Sequence, residues 1–178
     1  MDPILVKNKI AELAKIHGRL VFNTAYRVIG DIQRAEDITQ DIFIKLFSNR
    51  ALLEGNVRNW AAYLTTLTTR TSLDLLRKLK VRHEDNNRQA YEPTEAIDTT
   101  LNPEQQFSLN QDIEVFRHHL SELSSQEAQV IILRFLHEFT YQEIAEQLEI
   151  SSSLVGVTLK RGIEKINLKV ANPQLAGA

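Results

Sequence analysis

At 178 residues, with 43% hydrophobic and 25% charged residues, the chain can form one domain or two small ones, each able to bury its own core. No apolar run approaches the roughly 18 residues of a membrane span, and the lack of cysteine excludes disulfides, thiolate zinc sites and a cysteine nucleophile. The formal net charge of −2 is awkward for a free-standing nucleic-acid binder, and it is uneven: residues 1–100 hold 15 Lys+Arg against 13 Asp+Glu, residues 101–178 hold 6 against 10.

The N-terminal stretch MDPILVKNKIAELAK begins with an acid and interrupts its apolar residues with charges. That is the pattern of an amphipathic helix rather than a signal peptide, so a soluble cytoplasmic protein is expected. Residues 3–29 read as one or two helices, with Leu5, Ile10, Leu13, Ile16, Leu20, Val21, Ala25 and Val28 inward and a break or bend near Gly18. Gly30 and Asp31 mark a stop and a restart. From about residue 31 to 47, Ala35, Ile38, Ile42, Phe43 and Leu46 share one side of a helix, and Glu36, Asp37, Gln40 and Asp41 lie mostly on the other. A charged stripe of that kind is usually a solvated face, and alone it names no partner. NRALLEGN reads as a loop, followed by a long helix from about 57 to 80 with Trp60, Leu64, Leu67, Leu73 and Leu76 at helical spacing. The sharpest basic cluster, RKLKVR, closes that helix.

Residues 83–102 are polar and acidic, contain Pro93 and lack a helical stripe, so they read as a flexible linker between two domains. Asn102 followed by Pro103 pairs a capping residue with proline at the first turn and starts a helix running to about Leu120. Glu114, His118 and Glu122 share a face there, a metal-like spacing, but exposed charges so spaced usually meet only water. No Gly-rich phosphate loop or nucleophile motif accompanies them, so neither a metal, a cofactor nor an enzyme activity is expected.

The stretch LSSQEAQVIILRFLHEFTYQEIAEQLEISSSLVGVTLKRGIEKI divides into three helices. Ser124 with Glu127, and Thr140 with Glu143, have the spacing of capping boxes. Tyr141, Ile144, Ala145 and Leu148 form one buried stripe; Ile150 plugs the turn; Val155, Leu159, Ile163 and Ile166 form the next stripe. The last two helices make a helix-turn-helix, whose second helix presents Gly156, Val157, Lys160 and Arg161 outward, where a major groove would be read. On periodicity alone an ordinary helical hairpin would fit as well. This acidic half also has too few cations to hold DNA by phosphate contacts unaided.

AEDITQDIFIKLF, then NVRNWAAYLTTLTTRTSLDLLRK, then LSSQEAQVIILRFLHEFTYQEIAEQL resemble, in order and over almost the whole chain, bacterial RNA polymerase sigma factors of the small extracytoplasmic-function (ECF) group. The resemblance implies an all-α fold of two small helical domains: 1–82 a region-2-like domain, 83–102 the linker, 103–170 a region-4-like helix-turn-helix domain, 171–178 a tail. It implies that Asp37, Gln40 and Asp41, in a D-x-x-Q-[ED] pattern beside Glu36, dock on the clamp of core RNA polymerase. Asn59, Trp60, Arg70, Arg77, Lys78, Lys80 and Arg82 would recognise and melt the minus-ten element, although Trp60 and Tyr63 also suit a core and Asp74 can pair with Arg77. Arg134, Ser151, Ser152, Val157, Thr158, Lys160 and Arg161 would contact the minus-thirty-five element. Here the family usually begins the recognition helix with Gly-Thr-Val followed by Lys, Ser and Arg. This chain has Ser153, Leu154, Val155, Gly156, Val157 and Thr158, and Glu149 replaces the usual turn glycine. Weak or unusual distal-element recognition is expected.

The partners so implied are core RNA polymerase, promoter DNA and an anti-sigma factor, with no small-molecule substrate and no membrane insertion. An alternative is a degenerate sigma-like regulator that binds polymerase, a sigma factor or an anti-sigma factor without initiating transcription.

Overall fold

Helical spacing of apolar residues is realised along the chain. The computed structural model describes residues 3–55, 57–85 and 103–171; it is all-α, with no strand among the described residues. The order is α1 (Pro3–Ile29), α2 (Ile32–Ser48), α3 (Arg50–Glu54), α4 (Trp60–Asp85), α5 (Pro103–Glu122), α6 (Ser125–Phe135), α7 (Tyr141–Leu148) and α8 (Ser152–Ala171). These helices form two compact units, Met1–Ser72 and Leu73–Ala178, divided within α4. Most of the expected linker, residues 86–102, and the tail from 172 lie outside the described residues.

In the first unit α1 is one uninterrupted helix. Gly18 does not break it, because Leu13, Val21, Ala25 and Val28 are buried on both sides of the glycine and outweigh its roughly 1 kcal/mol propensity cost. The inward stripe starts at Val6, which leaves Leu5 and Ile16, expected inside, 58% and 61% exposed. Asp31 caps α2 by accepting from the Arg34 amide at 2.8 Å, and Ala35, Ile38, Ile42 and Leu46 turn inward where α1 and α2 pack together. The expected loop after α2 contains a short helix, α3. The Asn49 side chain caps it at the Leu52 amide, and Leu53 fills a cluster with Val6 and Leu13, against which Ile10, Phe43 and Trp60 pack.

Helix α4 is capped by Asn59, whose side chain accepts from the Ala62 amide at 3.0 Å. Its interior is unusual, since Thr65, Thr68, Thr69 and Ser72 are buried beside Leu64 and Leu73. Thr68 donates to the Leu64 carbonyl; the Thr69 and Ser72 hydroxyls have no hydrogen-bond partner among the described residues.

The second unit is organised on α6, in which Ala128, Val130, Ile131, Ile132 and Leu133 are all buried. Its capping box forms as expected, and α6 packs on α8. Gly162 permits that approach, since a Cβ there would lie 2.8 Å from Ile131 Cδ1. Thr140 and Glu143 form the second capping box, at the start of α7. The turn into α8 passes through Glu149 in the left-handed conformation (φ 55°, ψ 43°), with the Ile150 amide bonded to the Ala145 carbonyl.

Candidate functional site

Three surfaces hold the candidate residues. On α2, Glu36, Asp37, Gln40 and Asp41 are all exposed, and none of their side chains makes a hydrogen bond or ion pair with another described residue. Burial of Ala35, Ile38 and Ile42 on the other side fixes the rotation of the helix, so this acidic face is rigidly presented. The same face continues through Ile44 and Phe47, 61% and 48% exposed, which the sequence reading did not single out. The signal was in IFIKLF: five apolar residues in six cannot all share one buried stripe.

On α4 the candidates separate into groups. Asn59 is engaged as the helix cap, and Trp60 is half-buried in the core cluster, with the Tyr63 ring edge-on at 5.9 Å and the Lys9 ammonium 5.9 Å from its centroid. Burial raises the Tyr63 phenol above its ordinary pKa. Arg70 and Lys78 are exposed. Arg77 pairs with Asp74 at 3.5 Å, as expected, and donates to the Leu123 carbonyl at 3.2 Å; Lys80 bonds Glu122 at 2.9 Å. To hold a DNA strand, those two cations must exchange partners they already have. The side chain of Arg82 lies outside the described residues.

On the helix-turn-helix, Ser151 caps α8 by accepting from the Leu154 amide at 3.2 Å, and Ser152, Ser153, Lys160 and Arg161 are exposed. Two expectations change. Thr158 is 4% exposed: it lies between Val155 and Leu159 on the packed side and is removed from the reading face. Arg134 donates to the Phe139 carbonyl at 3.0 Å and lies 5.7 Å from the Tyr141 ring centroid, which makes it a positioning residue for the turn. Tyr141, expected in the buried stripe, is exposed and its ring lies over Gly156, 3.5 Å from where a Cβ would stand. Leu154 and Val157 are 40% and 52% exposed on the outward side of α8.

The metal-like spacing in α5 resolves into charge pairs: Glu114 bonds Arg117, and Glu122 meets Lys80, His118 and His119. No group of three or more His, Asp or Glu side chains is placed to hold a metal ion among the described residues. No helix of the described residues is long and apolar enough to cross a membrane. Burial opposes ionisation of Glu127, but the Lys165 ammonium at 2.7 Å and the amide and hydroxyl of Ser124 more than offset it and hold its carboxyl below the ordinary range.

Two family models match the chain, Sigma-70 region 2 over residues 13–82 and Sigma-70, region 4 over residues 113–166. RNA polymerase sigma factor YlaC of Bacillus subtilis (strain 168) is 29% identical over 160 residues, 87% of this chain and 88% of that protein. ECF RNA polymerase sigma factor SigW of the same organism is 25% identical, covering 90% of this chain and 88% of its own length. Among solved structures, the sigma factor RpoE in complex with the anti-sigma factor NepR, from Bartonella quintana, matches with a TM-score of 0.55 over 91% of this chain and 96% of that chain; at 17% identity this is a likeness of fold.

Proposed function

This chain belongs to the RNA polymerase sigma factors of the extracytoplasmic-function group, and from that premise we propose that it binds core RNA polymerase, directs it to promoters, opens the minus-ten element and initiates transcription. The observation that carries the reading is the outward face of α2, where Asp37, Gln40 and Asp41 stand in the family's docking pattern on a rigid helix with no partner among the described residues. Carboxylates so held form charge-assisted bonds with a basic partner and set its orientation.

The division of labour explains the charge. Polymerase supplies the chemistry and most of the non-specific DNA affinity, so the factor itself is not an enzyme, acts in the cytoplasm and can remain near neutral. In the region-2-like domain, residues 1–82, Asn59 and Trp60 hold the start of α4, while Arg70 and Lys78, joined by Arg77, Lys80 and Arg82, hold the separated strand. Residues 83–102 link this domain to the helix-turn-helix domain, residues 103–170. Ser151, Ser152, Lys160 and Arg161 contact the backbone of the distal element. The Bartonella complex supports an anti-sigma factor as a further partner.

A second reading keeps polymerase or anti-sigma binding and drops initiation; the apolar outward residues Leu154 and Val157 favour it. Pull-down of core RNA polymerase, followed by run-off transcription from fragmented genomic DNA of the same organism, separates the two. Binding with discrete transcripts supports the initiation factor, binding without transcripts supports the regulator, and no binding overturns the initiation factor and leaves the regulator only its anti-sigma form.

A further inference from the structure

The outward face of the first two turns of α8 lacks the side chains that ordinarily read base edges by hydrogen bonds. Paired donors of Arg or Lys select guanine, and the amides of Asn or Gln select adenine. Before Lys160 this face offers serines, Gly156, Leu154 and Val157. Gly156 is covered by the Tyr141 ring, and Thr158 is buried, so Leu154 and Val157 are the large side chains left to meet a groove.

We infer that the distal element is selected through thymine C5-methyl groups at two adjacent base pairs, read by Leu154 and Val157. The inference rests on the initiation reading above. Three observations support DNA as the occupant of this apolar face. First, its rim suits phosphates: the Ser152 and Ser153 hydroxyls lie at one end and Lys160 and Arg161 at the other, all exposed. Lys160 meets Glu164 at 3.9 Å with both side chains largely in water, a pairing weak enough to exchange for a phosphate. Second, the spacing fits. Leu154 and Val157 are three residues apart, about 4.5 Å along a helix axis, against about 3.4 Å between stacked base pairs. Third, a branched aliphatic group complements the methyl that distinguishes thymine in the major groove.

Removal of those methyls alone tests the inference. Promoter fragments recovered by the polymerase holoenzyme containing this chain are resynthesised with deoxyuridine in place of thymidine across the distal element. Burying one methyl corresponds to about fourfold in affinity, so loss of two is expected to weaken holoenzyme binding by about 15-fold. In the double variant Leu154→Ala, Val157→Ala, whose helical content is checked by circular dichroism, thymine and uracil fragments are expected to bind equally and more weakly. Transcription that proceeds with equal affinity for both DNAs overturns the inference and leaves the initiation reading standing. Persistent methyl sensitivity in the double variant also overturns the assignment to these residues. Failure of the chain to bind core polymerase removes the reading and the inference together.

Discussion

Helices α2 and α8 are built alike and face outward differently. Each is started by a side-chain cap, from Asp31 and Ser151, and each buries one apolar stripe that fixes its rotation. The outward face of α2 is acidic, with Gln40 among the carboxylates, whereas the first turns of α8 present serines and two aliphatic side chains. A carboxylate face suits a partner with basic groups at set places, where charge fixes orientation and association rate. DNA carries the same phosphate charge at every sequence, so charge gives no discrimination there, and selection must come from base edges.

The largest effect is expected on the acidic side of this comparison. Replacing Asp37, Gln40 and Asp41 together by alanine should weaken core polymerase binding by at least about 100-fold, roughly 3 kcal/mol over three contacts, with unchanged helical content. Raising ionic strength should weaken the original protein more than the triple variant, because exposed charge pairs are screened. Equal affinity of the two proteins for polymerase would remove α2 as the dock. Next in size is a test of the platform beneath α8. Gly162→Val places atoms where a Cβ would already stand 2.8 Å from Ile131 Cδ1, and should cost about 1–3 kcal/mol in urea unfolding. Polymerase docking through α2 should survive this change at temperatures where the variant remains folded.

Much of α2 and of the three helices α6 to α8 was legible from spacing and caps. The two capping boxes and the stripe from Val155 to Leu159 are local patterns, and local patterns reach the fold intact. What escaped was decided by distant parts of the chain. Helix α3 depends on Leu53 meeting Val6 and Leu13, and the partners of Arg77 and Lys80 are Leu123 and Glu122, more than forty residues on. Thr158 looked like a reader because an alternating polar residue on a helix surface and a buried one have the same symbol. Only the packing of α8 on α6 and α7 settles its side. Ile44 and Phe47 went unplaced: the stripe of Ala35, Ile38, Ile42, Phe43 and Leu46 accounted for the core side, and nothing was read from the apolar residues left outside it.

The ion pair between α6 and α8, in which only the Glu127 carboxylate is buried, sharpens the comparison through pH. The carboxyl of Glu127 is held below its ordinary pKa, so its contribution is present above about pH 4.3 and is lost as pH falls through the lower folded value. Glu127→Gln keeps the shape and part of the cap while removing the charge opposite the half-exposed Lys165, and should cost about 1–2 kcal/mol at pH 7. Between pH 5 and 3 the variant should lose less stability than the original protein. Parallel loss would show that other carboxylates dominate acid unfolding of this unit.

The smallest expected effect lies at the turn that aims α8. Glu149 holds a left-handed conformation that costs an L-residue with a Cβ about 1–2 kcal/mol, and glycine removes that clash while adding freedom to the unfolded chain. The net expectation for Glu149→Gly is a gain of about 0.5–1 kcal/mol, read as a higher urea midpoint at unchanged slope. The substitution also removes an acid two residues before Ser151, where a phosphate would approach. Glu149→Asn separates the two consequences, because asparagine is neutral but gains less than glycine from the left-handed geometry. If both variants bind promoter DNA more tightly within holoenzyme and only glycine raises stability clearly, the acid at this turn opposes DNA and the backbone strain is a separate matter. If neither changes DNA binding, the turn only aims the helix, and the contrast between α2 and α8 rests on their outward faces alone.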